Sequence, residues 1–161
     1  MRAWLVGGAI IEGPEGILLV HNRRRGGRAD WSPPGGVIDD GEDLLGGLTR
    51  EVAEETGLVV AEWLGPLYEI EALAPDLGWH LRVEVHYAVS YAGALAVDDP
   101  DGIVDAVHWV PVTECPSRLV DAHPWVVEPL TEFLDERWEQ PRRFDYEVVG
   151  SDLASLVVTR R

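Results

Sequence analysis

Lysine is absent from this 161-residue sequence, and all 13 basic residues are arginines set against 29 acidic ones, for a formal net charge of −16. That balance argues against DNA, RNA or an anionic membrane as a partner, because each needs a basic footprint. A small phosphorylated ligand stays compatible, since a bound cation inverts the local potential. Cysteine occurs once, at Cys115. No intrachain disulfide can form, which suits a cytoplasmic setting. In its polar Thr-Glu-Cys-Pro-Ser surroundings the thiol reads as a small structural residue rather than a nucleophile. Long apolar runs are missing too, and nothing approaches the ~20 residues of a membrane span. The N-terminal stretch from Ala3 to Ile11 is interrupted by Gly7 and Gly8, is followed at once by Glu12 and has no small-residue cleavage site, so it does not read as a signal peptide. Repeats, low-complexity tracts and linkers are likewise lacking, so residues 1–161 are expected to form one domain.

What is present centres on Gly36 to Leu58, GVIDDGEDLLGGLTREVAEETGL. It fits G-x5-E-x7-R-E-U-x-E-E-x-G-U, with U a bulky aliphatic residue, through Gly36, Glu42, Arg50, Glu51, Val52, Glu54, Glu55, Gly57 and Leu58. From Asp43 to Thr56 helix formers dominate, acidic residues stand at the N-terminal end, and Gly57 is a stop. Leu45, Leu48 and Val52 recur at helical spacing and are expected to face a core. Glu51, Glu54 and Glu55 are expected to converge on another face. Two like charges ~4 Å apart repel by about 4 kcal/mol at an effective dielectric near 20, so three carboxylates in a cleft call for a cation. Mg²⁺ or Mn²⁺ suits oxygen ligands shared with substrate phosphates. Taken alone, the three glutamates also fit a solvated acidic helix face, at a cost of only ~0.2–0.5 kcal/mol per pair. The glycine turn, Glu42 and Arg50 at their fixed places favour the metal site.

On these nine positions the chain resembles the Nudix hydrolases, which cleave a nucleoside diphosphate linked to another moiety. The resemblance implies an α+β fold, an α/β/α sandwich with a mixed β-sheet between helices, here carrying an extra C-terminal β-hairpin at about 142–160. It also implies roles: Glu54 and Glu55 as main metal ligands, Glu51 as a ligand or as the base that activates water, Glu42 as an outer ligand, and Arg50 as the residue that orients a box glutamate. The substrate would be a small phosphorylated nucleotide, with a MutT-like nucleoside triphosphatase and an ADP-sugar hydrolase as the main subclasses; neither carries a decisive mark. A non-catalytic nucleotide sensor on the same fold is the rival, and the intact box argues for the enzyme.

Around the box, Ala3 to Ile11 and Gly16 to Val20 read as two strands of a hairpin-like unit. His21 to Arg28 gathers four arginines. Arg23, nearest the strand end, is the candidate for substrate phosphates, and Arg24 and Arg25 read as solvated loop. Asp30 to Gly36 brings two prolines and two glycines. The glycines allow close backbone approach, so the Gly36 carbonyl is a candidate for the metal shell. Trp31 fits either base stacking or core. Two strands follow the box, Val59 to Ala72 and Trp79 to Tyr91, the second with clean alternation. Trp79 at its start is a candidate base contact or an edge aromatic. Val104 to Val110 reads as another strand after the acidic loop Asp98 to Gly102; the resemblance implies that a carboxylate of this later region joins the metal or serves as base, and Asp101 and Asp105 are the candidates. Pro124 to Glu139 reads as a helix with Val126, Leu130, Phe133 and Leu134 inward. The tail from Arg142 to Val149 and from Leu153 to Thr159 reads as a hairpin that closes the domain, walls the cleft or pairs with a second subunit, so a homodimer is compatible.

Overall fold

The computed structural model describes all 161 residues. Alternation of Leu81, Val83 and Val85 with Arg82 and Glu84 makes β7 (Trp79–Ala92) a strand with one buried face. It pairs antiparallel with β6 (Val59–Ala74) and parallel with β1 (Arg2–Ile10). The sheet continues beyond β1 to β5 (Gly35–Val37), and beyond β6 to β9 (Arg142–Val149) and β10 (Val157–Arg160). A smaller sheet holds β2 (Glu12–Gly13), β3 (Gly16–Arg23), β4 (Ala29–Ser32) and β8 (Val104–Val110). The expected hairpin of the first two strands is therefore confined to Glu12–Gly13 against Gly16–Ile17. β1 and β3 part into different sheets because β3 takes the long-range partner β8, from Ile17 opposite Val110 to Asn22 opposite Val104.

Helix α1 (Leu44–Thr56) starts where the Asp43 carboxylate accepts the Gly46 N–H at 2.7 Å, and stops at Gly57, whose φ of 81° suits glycine. Its buried stripe runs through Gly47, Leu48, Glu51, Val52, Glu55 and Thr56. Because two glutamates share that stripe, it is rotated from the expected one, and Leu45 falls off it at 39% exposure. After β8 come a short turn, α2 (Cys115–Arg118), and α3 (Pro124–Glu136). α3 ends three residues earlier than the pattern suggested. Arg137 turns left-handed at φ 51°, and Trp138 folds back to donate its indole N–H to the Leu67 carbonyl at 2.7 Å. Adjacent residues of β3 feed separate apolar clusters: Leu18 packs with Leu48 and Val52 of α1, and Leu19 with Leu130 and Phe133 of α3. The sheets thus lie between the helices, as the resemblance implied. The C-terminal hairpin closes the large sheet through β9 on β6 rather than walling the cleft, and its second strand begins only at Val157.

Candidate active site

A cavity of about 590 Å³ opens where β1, β5 and α1 meet the faces of β6 and β7, the loop before β8 and the start of α3. Spacings of three and four residues bring Glu51, Glu54 and Glu55 of α1 to its wall. Glu51 is 7% exposed and Glu55 6%, and the two carboxyl groups perturb each other. Burial pushes both upward. Glu55 reaches about 9 even though the Gly35 N–H donates to its Oε1 at 3.0 Å and favours the charged form. Glycine at both positions of this approach is steric. A Cβ on Gly35 would sit 2.0 Å from the Gly7 carbonyl oxygen, and one on Gly36 would sit 2.6 Å from the Glu51 carboxyl carbon.

Arg50 braces this wall. Its Nε and Nη2 donate to the two Glu42 oxygens at 2.8 Å each, Nη1 donates to Glu51 Oε1 at 3.2 Å and to Glu54 Oε2 at 3.4 Å, and Nη2 reaches Asp39 Oδ2 at 3.3 Å. The Arg50 fork, helped by the Asp39 N–H, pulls the Glu42 carboxyl down to about 2. Glu42 does not line the cavity and both its oxygens are engaged, so its place here is behind Arg50 rather than in an outer ligand shell. Nor do three carboxylates converge as the helical spacing suggested. No three His, Cys, Asp or Glu side chains are gathered closely enough to enclose an ion. The Glu51–Glu55 pair is a donor set of hard oxygens, and its chemistry fits a divalent cation.

On the β3 side, residues 22 and 24 face the cavity and 23 faces out. Asn22 donates to Asp30 Oδ1 at 3.0 Å and Ser32 Oγ at 2.8 Å, and Arg24 grips the buried Asp30 through Nε at 3.2 Å and Nη2 at 3.1 Å. Arg24 and Arg28 line the cavity. Arg23 does not; its side chain is 72% exposed and lies 3.8 Å from Asp105. Trp31, expected at a base or in the core, packs between His21 and His108 at centroid distances of 5.0 and 4.9 Å, with Arg118 over its ring. Trp79 packs behind the cavity, edge-on to Trp125 at 6.0 Å. It is Trp125 that lines the cavity, with His123 stacked on it at 4.1 Å.

Of the two later aspartates Asp101 lines the cavity, whereas Asp105 stands outside it, its Oδ1 2.6 Å from His21 Nδ1. Sequence reasoning missed Asp99, which shares the cavity wall. Its carboxylate accepts the N–H groups of Asp101, Ile103 and Val104 at 3.0, 2.9 and 2.8 Å. The Asp-Pro-Asp-Gly run signals such a turn. This loop is tied to the end of α1, where the Ala96 N–H donates to the Thr56 carbonyl and the Asp98 N–H to the Glu54 carbonyl, both at 2.9 Å.

The sequence model of the NUDIX domain family matches residues 1–134. Mutator protein MutT4 of Mycobacterium tuberculosis is 37% identical over 123 residues, 72% of this chain and 49% of that protein, so the chain spans about half of its length. An RNA pyrophosphohydrolase of Caulobacter vibrioides is 29% identical over 128 residues, covering 70% of this chain and 74% of that one. Among solved structures, a MutT NUDIX hydrolase from Burkholderia pseudomallei superposes with a TM-score of 0.61 at 26% identity, over 70% of this chain and 86% of that one.

Proposed function

The chain belongs to the Nudix family, and from that premise we propose that it is a divalent-metal-dependent hydrolase of a pyrophosphate bond in a nucleoside diphosphate linked to another group. One observation carries the reading: the buried neighbours Glu51 and Glu55 beside a glycine backbone, in a cavity that also presents Arg24, Arg28 and Arg50. Two carboxylates held together out of water need a proton or a cation between them. Mg²⁺ or Mn²⁺, when bound, would neutralise charge developing on the phosphates and lower the pKa of an attacking water. Glu51 and Glu55 would hold it, with Glu54 and the Gly36 carbonyl as further donors.

The remaining tasks fall to the chain itself. The Gly35 N–H fixes Glu55, and Arg50, braced by Glu42 and Asp39, holds Glu51 and Glu54 in place. Glu54 is touched by Arg50 only at 3.4 Å, and it is the carboxylate we assign to take the water's proton. Arg24 and Arg28 would bind substrate phosphates, with Arg24 pre-set by Asp30. Asp101 stands by as a further carboxylate on the cavity. Arg23, Trp31, Trp79 and Asp105 lie outside the cavity and have no part in this assignment.

The names of the relatives, a mutator protein and an RNA pyrophosphohydrolase, support a phosphorylated nucleotide as substrate. The second name also raises a 5′-phosphorylated RNA end. The net charge of −16 favours a small nucleotide over it, and RNA affinity that falls steeply with salt would reverse that preference. The test is product analysis with Mg²⁺: pyrophosphate or phosphate from nucleoside triphosphates, a nucleoside monophosphate plus a sugar phosphate from ADP-ribose and nucleotide sugars, and two nucleotides from dinucleoside polyphosphates. Turnover of one class that collapses in Glu55→Gln supports the reading. Binding without turnover in every case would favour a nucleotide sensor.

A further inference from the structure

The Asp-Gly step occurs twice in the sequence, at Asp40–Gly41 and at Asp101–Gly102. The fold sets the two in different places of a β-turn. Asp101 and Gly102 are the last two residues of a turn that begins at Asp99, and the Gly102 N–H closes it on the Asp99 carbonyl at 3.0 Å. Asp40 and Gly41 are instead the central two of the turn from Asp39 to Glu42, which the Glu42 N–H closes on the Asp39 carbonyl at 3.1 Å. The φ of 87° at Gly41 suits the third position of a type II turn. The Gly41 N–H takes no part in the closing bond and has no partner in the chain. Both residues are exposed, and a Cβ at Gly41 would meet nothing within 4 Å. Their neighbours, in contrast, are engaged. The Asp39 N–H donates to Glu42 Oε1 at 2.9 Å, and Arg50 reaches Asp39 Oδ2 at 3.3 Å and both Glu42 oxygens at 2.8 Å.

A free backbone N–H next to an exposed aspartate can close a ring on it. The Gly41 nitrogen bonds to the Asp40 Cγ as a Cγ–O bond breaks. The N–H proton and the carboxyl hydroxyl leave as water, and a cyclic succinimide forms. Water added at the Asp40 main-chain carbonyl carbon then breaks that carbon's bond to nitrogen, so the chain continues through Cγ as isoaspartate. One water is released and one is taken up, with no oxidant. Glycine favours the first step because no Cβ shields its nitrogen. We propose that Asp40 is a site of spontaneous isomerisation to isoaspartate, and that the product unseats Glu42 from its place behind Arg50. The added main-chain carbon lies inside the turn whose closing bond sets Asp39 and Glu42, so the turn loses its register. Asp101 is spared, since the Gly102 nitrogen would first have to give up its bond to Asp99. The chemistry at Asp40 is independent of the hydrolase reading.

The test holds the folded protein at neutral pH for weeks beside a free peptide spanning Val37 to Leu44. Isoaspartate is counted by methyl transfer with an isoaspartyl methyltransferase and located by peptide mass spectrometry. It is expected to accumulate at Asp40 several-fold above Asp101. Asp40→Glu, which would need a larger ring, is expected to bring the total count down to the Asp101 level. Conversion at Asp101 equal to or above that at Asp40, or none at Asp40 once the free peptide has converted, overturns the site. Hydrogen exchange reads the second half of the proposal. The Asp39 and Glu42 amides, both bonded within the turn, are expected to lose protection in aged wild type and to keep it in aged Asp40→Glu. Full protection of both amides in protein rich in isoaspartate at Asp40 overturns the unseating of Glu42.

Discussion

Helices α1 and α3 border the same cavity and bury opposite chemistry. α1 turns two carboxylates inward, and the rise of Glu55 to about 9 under burial records the cost of doing so. α3 turns in Trp125, Leu130, Phe133 and Leu134, whose burial stabilises at roughly 25 cal/mol per Å² of apolar surface. Stability drawn from α3 is unconditional, whereas that of α1 depends on what lies between Glu51 and Glu55. A proton, a cation or a neutral side chain relieves the pair, and of these only a cation is compatible with the proposed reaction.

The comparison is tested most severely by Glu55→Gln. Activity is expected to fall by more than about 100-fold, beyond the usual cost of disturbing a group behind a metal ligand. Metal-free thermal stability should stay level or rise, because a neutral amide replaces a carboxylate that burial penalises. The sign of the pH dependence follows from Glu55 being raised from 4.5 to about 9 in the folded chain. Its favourable contribution is complete below pH 4.5 and is lost as pH climbs through 9. Metal-free wild type should therefore melt at lower temperature at pH 9 than at pH 5, and Mg²⁺ should restore more at the higher pH; both trends should flatten in Glu55→Gln. A mutant that melts well below wild type would show α1 to be stabilised by its carboxylates and would break the contrast. Trp125→Ala tests the other helix. It should cost ~3–5 kcal/mol by denaturant melt and raise KM, with no gain in stability at any pH. Arg50→Lys comes next, since a lysine cannot make the two parallel bonds to Glu42. An activity loss of ~10–100-fold is expected with stability nearly unchanged.

How much of this could be read in the sequence follows the same division. On α1 the helix's own repeat sets the geometry, so spacing put Glu51, Glu54 and Glu55 on one side, and the glycine turn, Glu42 and Arg50 at their fixed places singled that side out. The motif also marked Gly36, and the structure supplies the reason in the Glu51 carboxyl that a Cβ would strike. Direction across a strand was harder. Arg23 and Arg24 are neighbours, and which one enters the cavity depends on the pairing of β3 with β4 and on a bulge at His21 and Asn22 against β8. β4 is local to the arginines, but β8 lies far along the chain. Trp125 had no local signal, because a tryptophan one residue into a helix reads as packing until α3 is placed against β6 and β9. Glu54 shows the limit of spacing on a helix: it places the Cβ, and only the structure adds the Arg50 guanidinium that reaches its carboxylate at 3.4 Å.

The smallest expected effect probes the rotated stripe of α1. Leu45 begins the apolar series that continues through Leu48 and Val52, yet at 39% exposure it lies in the first turn, away from the side that faces the sheet. Little apolar surface returns to water on truncation there, so Leu45→Ala should change stability by no more than ~0.5 kcal/mol, as at other surface positions. Alanine also favours the helix over leucine, which offsets part of even that loss. A cost near that of Trp125→Ala would mean that Leu45 packs on a partner outside this chain. The first turn of α1 would then be an interface, and the polar face of that helix would be narrower than the contrast with α3 requires.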